Sequence, residues 1–240
     1  MLCKEDLLQA VQNTPVEKRV SSQVLNGKKI WIKRPEQVIS WKDRYKKWVN
    51  PSFQHEVSSL RFLNQANAPA PKVLLFGDDF VVTEDSGKTV QDVLKDQPQT
   101  TPESEKKDIL FKTGAALATL HSLDLAHGRP ALRDICWNGY SVQFIDFERS
   151  STKQATLWQK KQDIMIFVHD LLLRLHHSPA SIHQTLNGYI SKDEQNNLKI
   201  TVNTARKLRL ALPFLQLIKP IAGRDVGVAI QTLKLLSQRA

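Results

Sequence analysis

Cysteine is nearly absent: Cys3 and Cys136 are the two in 240 residues, far apart and in neither a CxxC nor a Cys/His spacing. That leaves no disulfide framework and no zinc motif, and fits a reducing cytoplasm. Long apolar runs are missing too. The most apolar late segment, residues 208–222, is broken by Arg209, Pro213, Lys219 and Pro220, so nothing there is long enough to span a bilayer. The opening MLCKEDLLQA turns acidic and polar before the apolar stretch of a secretory signal could form. No internal repeat is present, and the one mildly biased stretch is the polar segment at 97–103. Glycine is missing from QNTPVEKRVSSQV, which precedes the first hairpin turn, so a phosphate cover there lacks the residue that permits close backbone approach. Negative charge is outweighed, with 24 acidic against 34 basic side chains and a formal charge of +10. With a pI near 9.6, that balance implies an anionic partner: nucleic acid, a phosphorylated substrate or an acidic membrane face.

The length suffices for one sizeable core or two small lobes. Residues 19–25 alternate and are β-branched, Asn26-Gly27 is a strong hairpin signal, and KIWIK at 29–33 alternates again, which predicts a β-hairpin. A basic, tryptophan-rich stretch follows, WKDRYKKW at 41–48. HEVSSLRFLNQA then carries Val57, Leu60, Phe62 and Leu63 mainly at helical spacing. APAPKVLLFG is extended, and residues 80–83 form a short buried strand. From Thr89 the pattern is helical: a short helix at 90–94, then a long amphipathic one ending near His121. Two short strands, 135–137 and 142–145, flank an Asn138-Gly139 turn. KKQDIMIFVHDLLLRLHH and SIHQTLNGYI are helical, and two last helices are expected at about 203–218 and 224–236.

This order, β-rich first and helical afterwards with acidic residues on a late hairpin, resembles the protein kinase-like fold. Lys33 ends an alternating strand as the strand-three lysine of kinases does, and Glu56 lies early in the next helix, where the partner of that lysine belongs. Glu84-Asp85 resembles an acidic hinge. His127-Gly128 and FIDFE at 144–148 resemble the catalytic loop and the metal-binding DFG of atypical kinases, and Asp163 the aspartate that supports that loop. The pattern is closest to RIO kinases, the small kinases of tRNA-modification complexes and the lipopolysaccharide-core sugar kinases, over roughly residues 28–173.

The resemblance implies a two-lobed α+β fold, with residues 1–85 as the β-rich lobe and 86–240 as the helical lobe of one kinase-like domain. It implies an ATP- and magnesium-dependent phosphotransferase. Lys33 and Glu56 orient phosphates, the backbone from Glu84 to Ser86 meets the adenine, and Asp134 and Asp146 hold the metal. It further implies a nucleotide partner, a glycolipid or sugar acceptor of the lipopolysaccharide core, and a cytoplasmic location peripheral to the inner face of the membrane. Tryptophan and lysine together at 41–48 suit an anionic interface. No RNA-recognition motif is visible, so nucleic acid is not the expected partner.

Each position also has a plainer reading. Lys33 and Glu56 could be solvated surface charges, Asp146 a turn aspartate, Asp163 a helix N-cap and His127 a buried core residue. His176-His177 and the tryptophans have no ligand spacing.

Related kinases read H-G-D-L-x-x-x-N, whereas this chain reads H-G-R-P-A-L-R-D. In direct register Arg129 stands at the base position and Asp134 at the asparagine position. In a competing register Arg133-Asp134 is the RD pair and Asn138 the metal ligand. The direct register leaves no obvious base. Because a general base contributes about 10²–10⁴-fold, its loss predicts a slow or unusual kinase before an inert one, or a pseudokinase that serves as a binding module.

Overall fold

The Asn26-Gly27 turn needs two consecutive left-handed residues, and Asn26 (φ 48°) and Gly27 (φ 74°) supply them. It joins β1 (Val20–Leu25) to β2 (Lys28–Lys33) in an antiparallel register that sets Leu25 opposite Lys28 and Val20 opposite Lys33. In the computed structural model, which describes residues 2–36, 53–150, 154–175 and 178–239 (backbone only at 217–224), this hairpin belongs to a four-stranded antiparallel sheet. β3 (Val73–Phe76) and β4 (Val81–Glu84) complete it in the order β1-β2-β4-β3. The expected WKDRYKKW and His176-His177 features lie outside the described residues.

Alternation along β2 decides which face does what. Ile30 and Ile32 are fully buried in a small core with Val82, while Trp31 and Lys33 face the other way. That core is closed by a helix not foreseen from the sequence, α1 (Lys4–Gln12), which brings in Leu7, Ala10 and Val11. Its start is a capping box in which Cys3 Sγ accepts from the Asp6 N–H and the Asp6 carboxylate accepts from the Cys3 N–H. The acidic opening is therefore the first turn of a helix.

α2 (Phe53–Gln65) carries Glu56 and sends Leu60 and Leu63 into the larger core. After the sheet, β5 (Lys88–Thr89) leads into α3 (Val90–Lys95). Strand structure thus reaches past residue 83, because β5 pairs with β6 (Ile135–Trp137), which pairs with β7 (Val142–Phe144) in a second antiparallel sheet. A two-residue strand has no period of its own and forms only through its partner.

α4 (Glu103–Ser122), α5 (Leu157–Arg174), α6 (Pro179–Ile190), α7 (Asn197–Leu208) and α8 (Leu212–Gln238) make the helical lobe. α4 and α6 touch backbone to backbone: a Cβ on Gly114 would lie 1.8 Å from Thr185 O, and one on Gly188 1.9 Å from Phe111 O. The last two helices start and stop elsewhere than expected. The break falls at a 3₁₀ turn, Arg209–Ala211, and not near residue 220. Pro213 stands in the first turn of α8, where its missing N–H is one the helix leaves unpaired anyway. Among the described residues no helix is long and apolar enough to cross a membrane.

The candidate nucleotide cleft and the loop behind it

Trp31 and Lys33 look into a cavity of about 340 Å³ between the two lobes, bordered also by Val20, Leu60, Val81, Thr83, Glu84, Ser86, Ile145 and Asp146. Lys33 Nζ donates to Glu56 Oε1 at 2.5 Å, across 23 residues of chain. Burial pushes the Glu56 carboxyl up from its usual range, and the adjacent Lys33 charge pulls it back. Trp31 is held by its indole N–H, which donates to Asp85 Oδ1 at 2.6 Å, with Lys29 Nζ 4.6 Å above the ring. Trp31 was not expected as a wall of the site. Its signal was the β2 alternation, which puts it on the same face as Lys33.

Glu84 and Ser86 border the cavity, and the Glu84 N–H is bonded to Lys72 O at 3.0 Å. Gly87, at φ +83°, lets the chain pass the second sheet so closely that a Cβ would sit 2.0 Å from Trp137 O. Cys136 also lines the cavity, but burial pushes its thiol up to about 12, so it stays protonated and inert.

The loop from His127 to Asp134 is pinned by α5 at two points. Asp163, wholly buried, accepts the N–H groups of His127 at 2.7 Å and Gly128 at 2.8 Å, and His121 Nε2 at 3.3 Å. It is no N-cap. That place belongs to Thr156, in a capping box with Gln159. Seven residues on, Asp170 accepts the Leu132 N–H at 2.8 Å. Asp170 went unnoticed in the sequence, although two aspartates seven apart on one face of an apolar helix are the signal. Gly128 turns at φ +89°, where a Cβ would meet Arg149 O at 2.4 Å.

His127 ties this loop to β7. Its Nε2 lies 2.9 Å from Ile145 O and can only donate there, so Nδ1 is the acceptor for the Arg129 N–H at 3.3 Å. The ring lies against Phe144 and Phe147, with centroids 5.4 and 4.9 Å away. Burial lowers the imidazole from its usual 6.5, against a weaker opposite pull from Asp163, Asp134 and Asp146. Below 6.5 the unfolded chain therefore takes up a proton that the folded chain refuses, and stability falls as pH drops through that window. Melting temperatures of the parent and His127→Gln, followed from about pH 7 to about pH 5, should show the steeper loss in the parent. Glu56 and Asp134, both raised, act in the opposite sense in both proteins, and because His127 is the least of the charges acting on Asp134, most of that opposing contribution is common to both. Parallel curves would refute the assignment.

Asp134 and Asp146 come together although 12 residues and a hairpin separate them. Burial raises the Asp134 carboxyl, the Asp146 charge raises it further, and Arg133 and Arg129 oppose. A single nitrogen, Arg129 Nη2, lies 3.1 Å from Asp146 Oδ2 and 3.7 Å from Asp134 Oδ2. Asp134 Oδ2 is buried and makes no hydrogen bond. Asp146 is left-handed (φ 65°, ψ 57°), a conformation that aspartate tolerates better than most residues. Asn138 sits at the far end of β6, its Oδ1 accepting the N–H groups of Tyr140 and Ser141 at 3.0 and 2.9 Å. It closes the turn.

Among the described residues no cluster of three or more His, Cys, Asp or Glu side chains is arranged to hold a metal. The donor set fits one magnesium ion, which needs only one or two carboxylates besides phosphate oxygens. It does not fit a second, because Arg129 already serves the oxygens that would face it. Beside this point a polar recess of about 220 Å³ is lined by Arg129, Asp146, Glu148 and Arg149. Glu148 Oε1 binds Arg19 at 2.6 Å and lies 3.9 Å from Lys33, so it links β-rich and helical lobes.

A β-rich lobe with a lysine–glutamate pair, a helical lobe with a pinned loop and a left-handed aspartate after a hairpin define a protein of the kinase-like class. More narrowly, the chain belongs to the lipopolysaccharide kinase (Kdo/WaaP) family, whose model matches residues 12–189. It is thus a member of a kinase family of lipopolysaccharide biosynthesis, a membership that implies a nucleotide donor and a sugar or lipopolysaccharide acceptor. It is also 33% identical over 204 residues to an uncharacterized protein of Haemophilus influenzae, with 83% of this chain and 82% of the relative covered. The family match reaches beyond the 28–173 expected from motifs, starting at the last residue of α1 and taking in nearly all of α6.

Proposed function

We propose that the protein transfers the γ-phosphoryl group of ATP to a hydroxyl of a lipopolysaccharide-core sugar, with residues 1–85 and 86–240 as two lobes of one kinase-like domain. The observation that carries this reading is the 2.5 Å Lys33–Glu56 pair in the same cleft as Asp146. Trp31, Val20, Val81 and Thr83 supply the apolar walls for adenine. Because the Glu84 and Asp85 N–H groups are already bonded to Lys72 O and Lys29 O, hinge recognition falls to the backbone at Ser86. Lys33 directs a cation at the phosphates, and Glu56 holds it there. A magnesium ion, when bound at Asp146, neutralises phosphate charge.

Arg129 cannot be the base, since a guanidinium keeps its proton at any ordinary pH. Phosphoryl transfer passes through a loose transition state that asks mostly for positioning and charge neutralisation, so a slow enzyme follows from its absence. The Arg129 and Arg149 guanidiniums in the recess suit an anionic acceptor, and the chain's net charge of +10 suits approach to an anionic membrane face.

Purified protein with Mg·ATP should melt at a higher temperature than without. It should also label a phosphate-free core oligosaccharide from γ-labelled ATP, and Lys33→Met should remove the label by about 10²-fold or more. No nucleotide-dependent shift and no transfer at millimolar nucleotide would sink the proposal. A second reading, a pseudokinase acting as a scaffold, is favoured by the Arg129 ion pairs to both aspartates. Any transfer lost on mutating Asp146 excludes it.

A further inference from the structure

Two carboxylates brought together at one end of a hairpin repel each other, and Asp134 is largely buried besides. A cation between the oxygens, or a proton kept on one of them, relieves that repulsion. The chain provides the cation. Arg129 Nη2 stands 3.1 Å from Asp146 Oδ2 and 3.7 Å from Asp134 Oδ2, and Arg133 Nε stands 3.5 Å from the same Asp134 oxygen. Arg129 and Arg133 together balance Asp134 and Asp146 before any metal binds. The Arg129 backbone is held on both sides, its N–H by His127 Nδ1 and its carbonyl by the Ala131 N–H at 2.9 Å. Asp134 Oδ2, buried and without a hydrogen bond, is the oxygen that a bridging cation would be expected to take. The guanidinium instead approaches it as a point charge.

We propose that Arg129 is a resident cation that takes the place of one divalent ion between Asp134 and Asp146, so that the cleft binds a nucleoside triphosphate with little dependence on divalent metal. The inference rests on the nucleotide reading above and goes beyond it. The arginine does not mark a lost base alone; it changes what the two aspartates bind. At most one ion remains to be recruited, at Asp146, whose Oδ2 already accepts from Arg129.

Two measurements test this on the full chain. Calorimetric titration with a non-hydrolysable ATP analogue should give affinities with magnesium and with EDTA that differ by less than about tenfold in the parent. Arg129→Ala should bind the analogue more than about tenfold more weakly in EDTA than in magnesium, and Arg129→Lys should fall between. Electron paramagnetic resonance with manganese alone, without nucleotide, should show tighter ion binding to Arg129→Ala than to the parent, because the vacated carboxylates then form an open site. Parent binding abolished by EDTA, or manganese affinity equal in parent and Arg129→Ala, overturns the proposal. If no analogue binds under any condition, the nucleotide reading fails and metal-independent binding fails with it. The manganese comparison still decides whether Arg129 fills a cation position.

Discussion

Asp146→Asn is expected to lower phosphoryl transfer by about 10²–10³-fold while leaving the fold intact, since the substitution removes a charge aimed at developing phosphate charge and little else. The choice of asparagine matters. Asp146 sits at φ 65°, ψ 57°, a left-handed conformation that asparagine also adopts readily, whereas alanine would add roughly 1–2 kcal/mol of backbone strain. The ion pair lost is partly exposed, with side-chain exposures of 38% for Arg129 and 30% for Asp146, so after solvent screening it contributes at most about 1 kcal/mol. For a chain of this size that is a change of about 2–4 °C in melting temperature. The measurement is transfer from γ-labelled ATP beside a thermal melt of the same sample. Retention of more than a tenth of the parent rate would mean that Asp146 neither holds metal nor faces the phosphates.

Asp163→Ala should act in the reverse way, on the fold first. The carboxylate is wholly buried and accepts from the His127 and Gly128 backbone and from His121, whose Nδ1 in turn lies 2.6 Å from the Tyr189 hydroxyl. Alanine leaves two backbone N–H groups and an imidazole N–H without an acceptor in the interior. Orphaned donors of this kind cost about 1–3 kcal/mol each and do not add fully, so a total of about 3–5 kcal/mol is expected. Urea unfolding should show the midpoint fall with the slope unchanged, and the melting temperature should drop by about 6–20 °C. Asp163→Asn keeps one acceptor oxygen and should lie between. A midpoint within error of the parent for alanine would show that the loop is held by other contacts.

The comparison of Asp163 with Asp146 explains what was readable beforehand. Both were visible as aspartates in apolar surroundings. Asp146, between a strand and Phe147, was read as a metal ligand or a turn aspartate, and Asp163, near the start of a helical stretch, as a support of the loop or an N-cap. Its reading as an N-cap failed because Thr156 and Gln159 begin the helix, with Thr156 about two turns earlier. The α1 helix escaped notice because its nine residues hold only three buried side chains, and its apolar face has meaning only against Ile30, Ile32 and Val82. β5 escaped because two residues cannot show alternation. The break between α7 and α8 was misplaced: the helix expected at about 203–218 runs through Pro213, which stands in the first turn of α8.

Local chemistry in the chain was enough to establish the hairpin at Asn26-Gly27 and the change from strands to helices near residue 90. Each follows from neighbours a few residues away, through turn geometry, periodicity and charge. That Arg129 lies between two carboxylates, one of them 17 residues distant, could not be read in this manner. Its side chain could have turned to solvent or to an acceptor. Where it points depends on α5 holding the loop through Asp163 and Asp170 and on the second sheet bringing Asp146 back to it, contacts that exist only once the chain has folded.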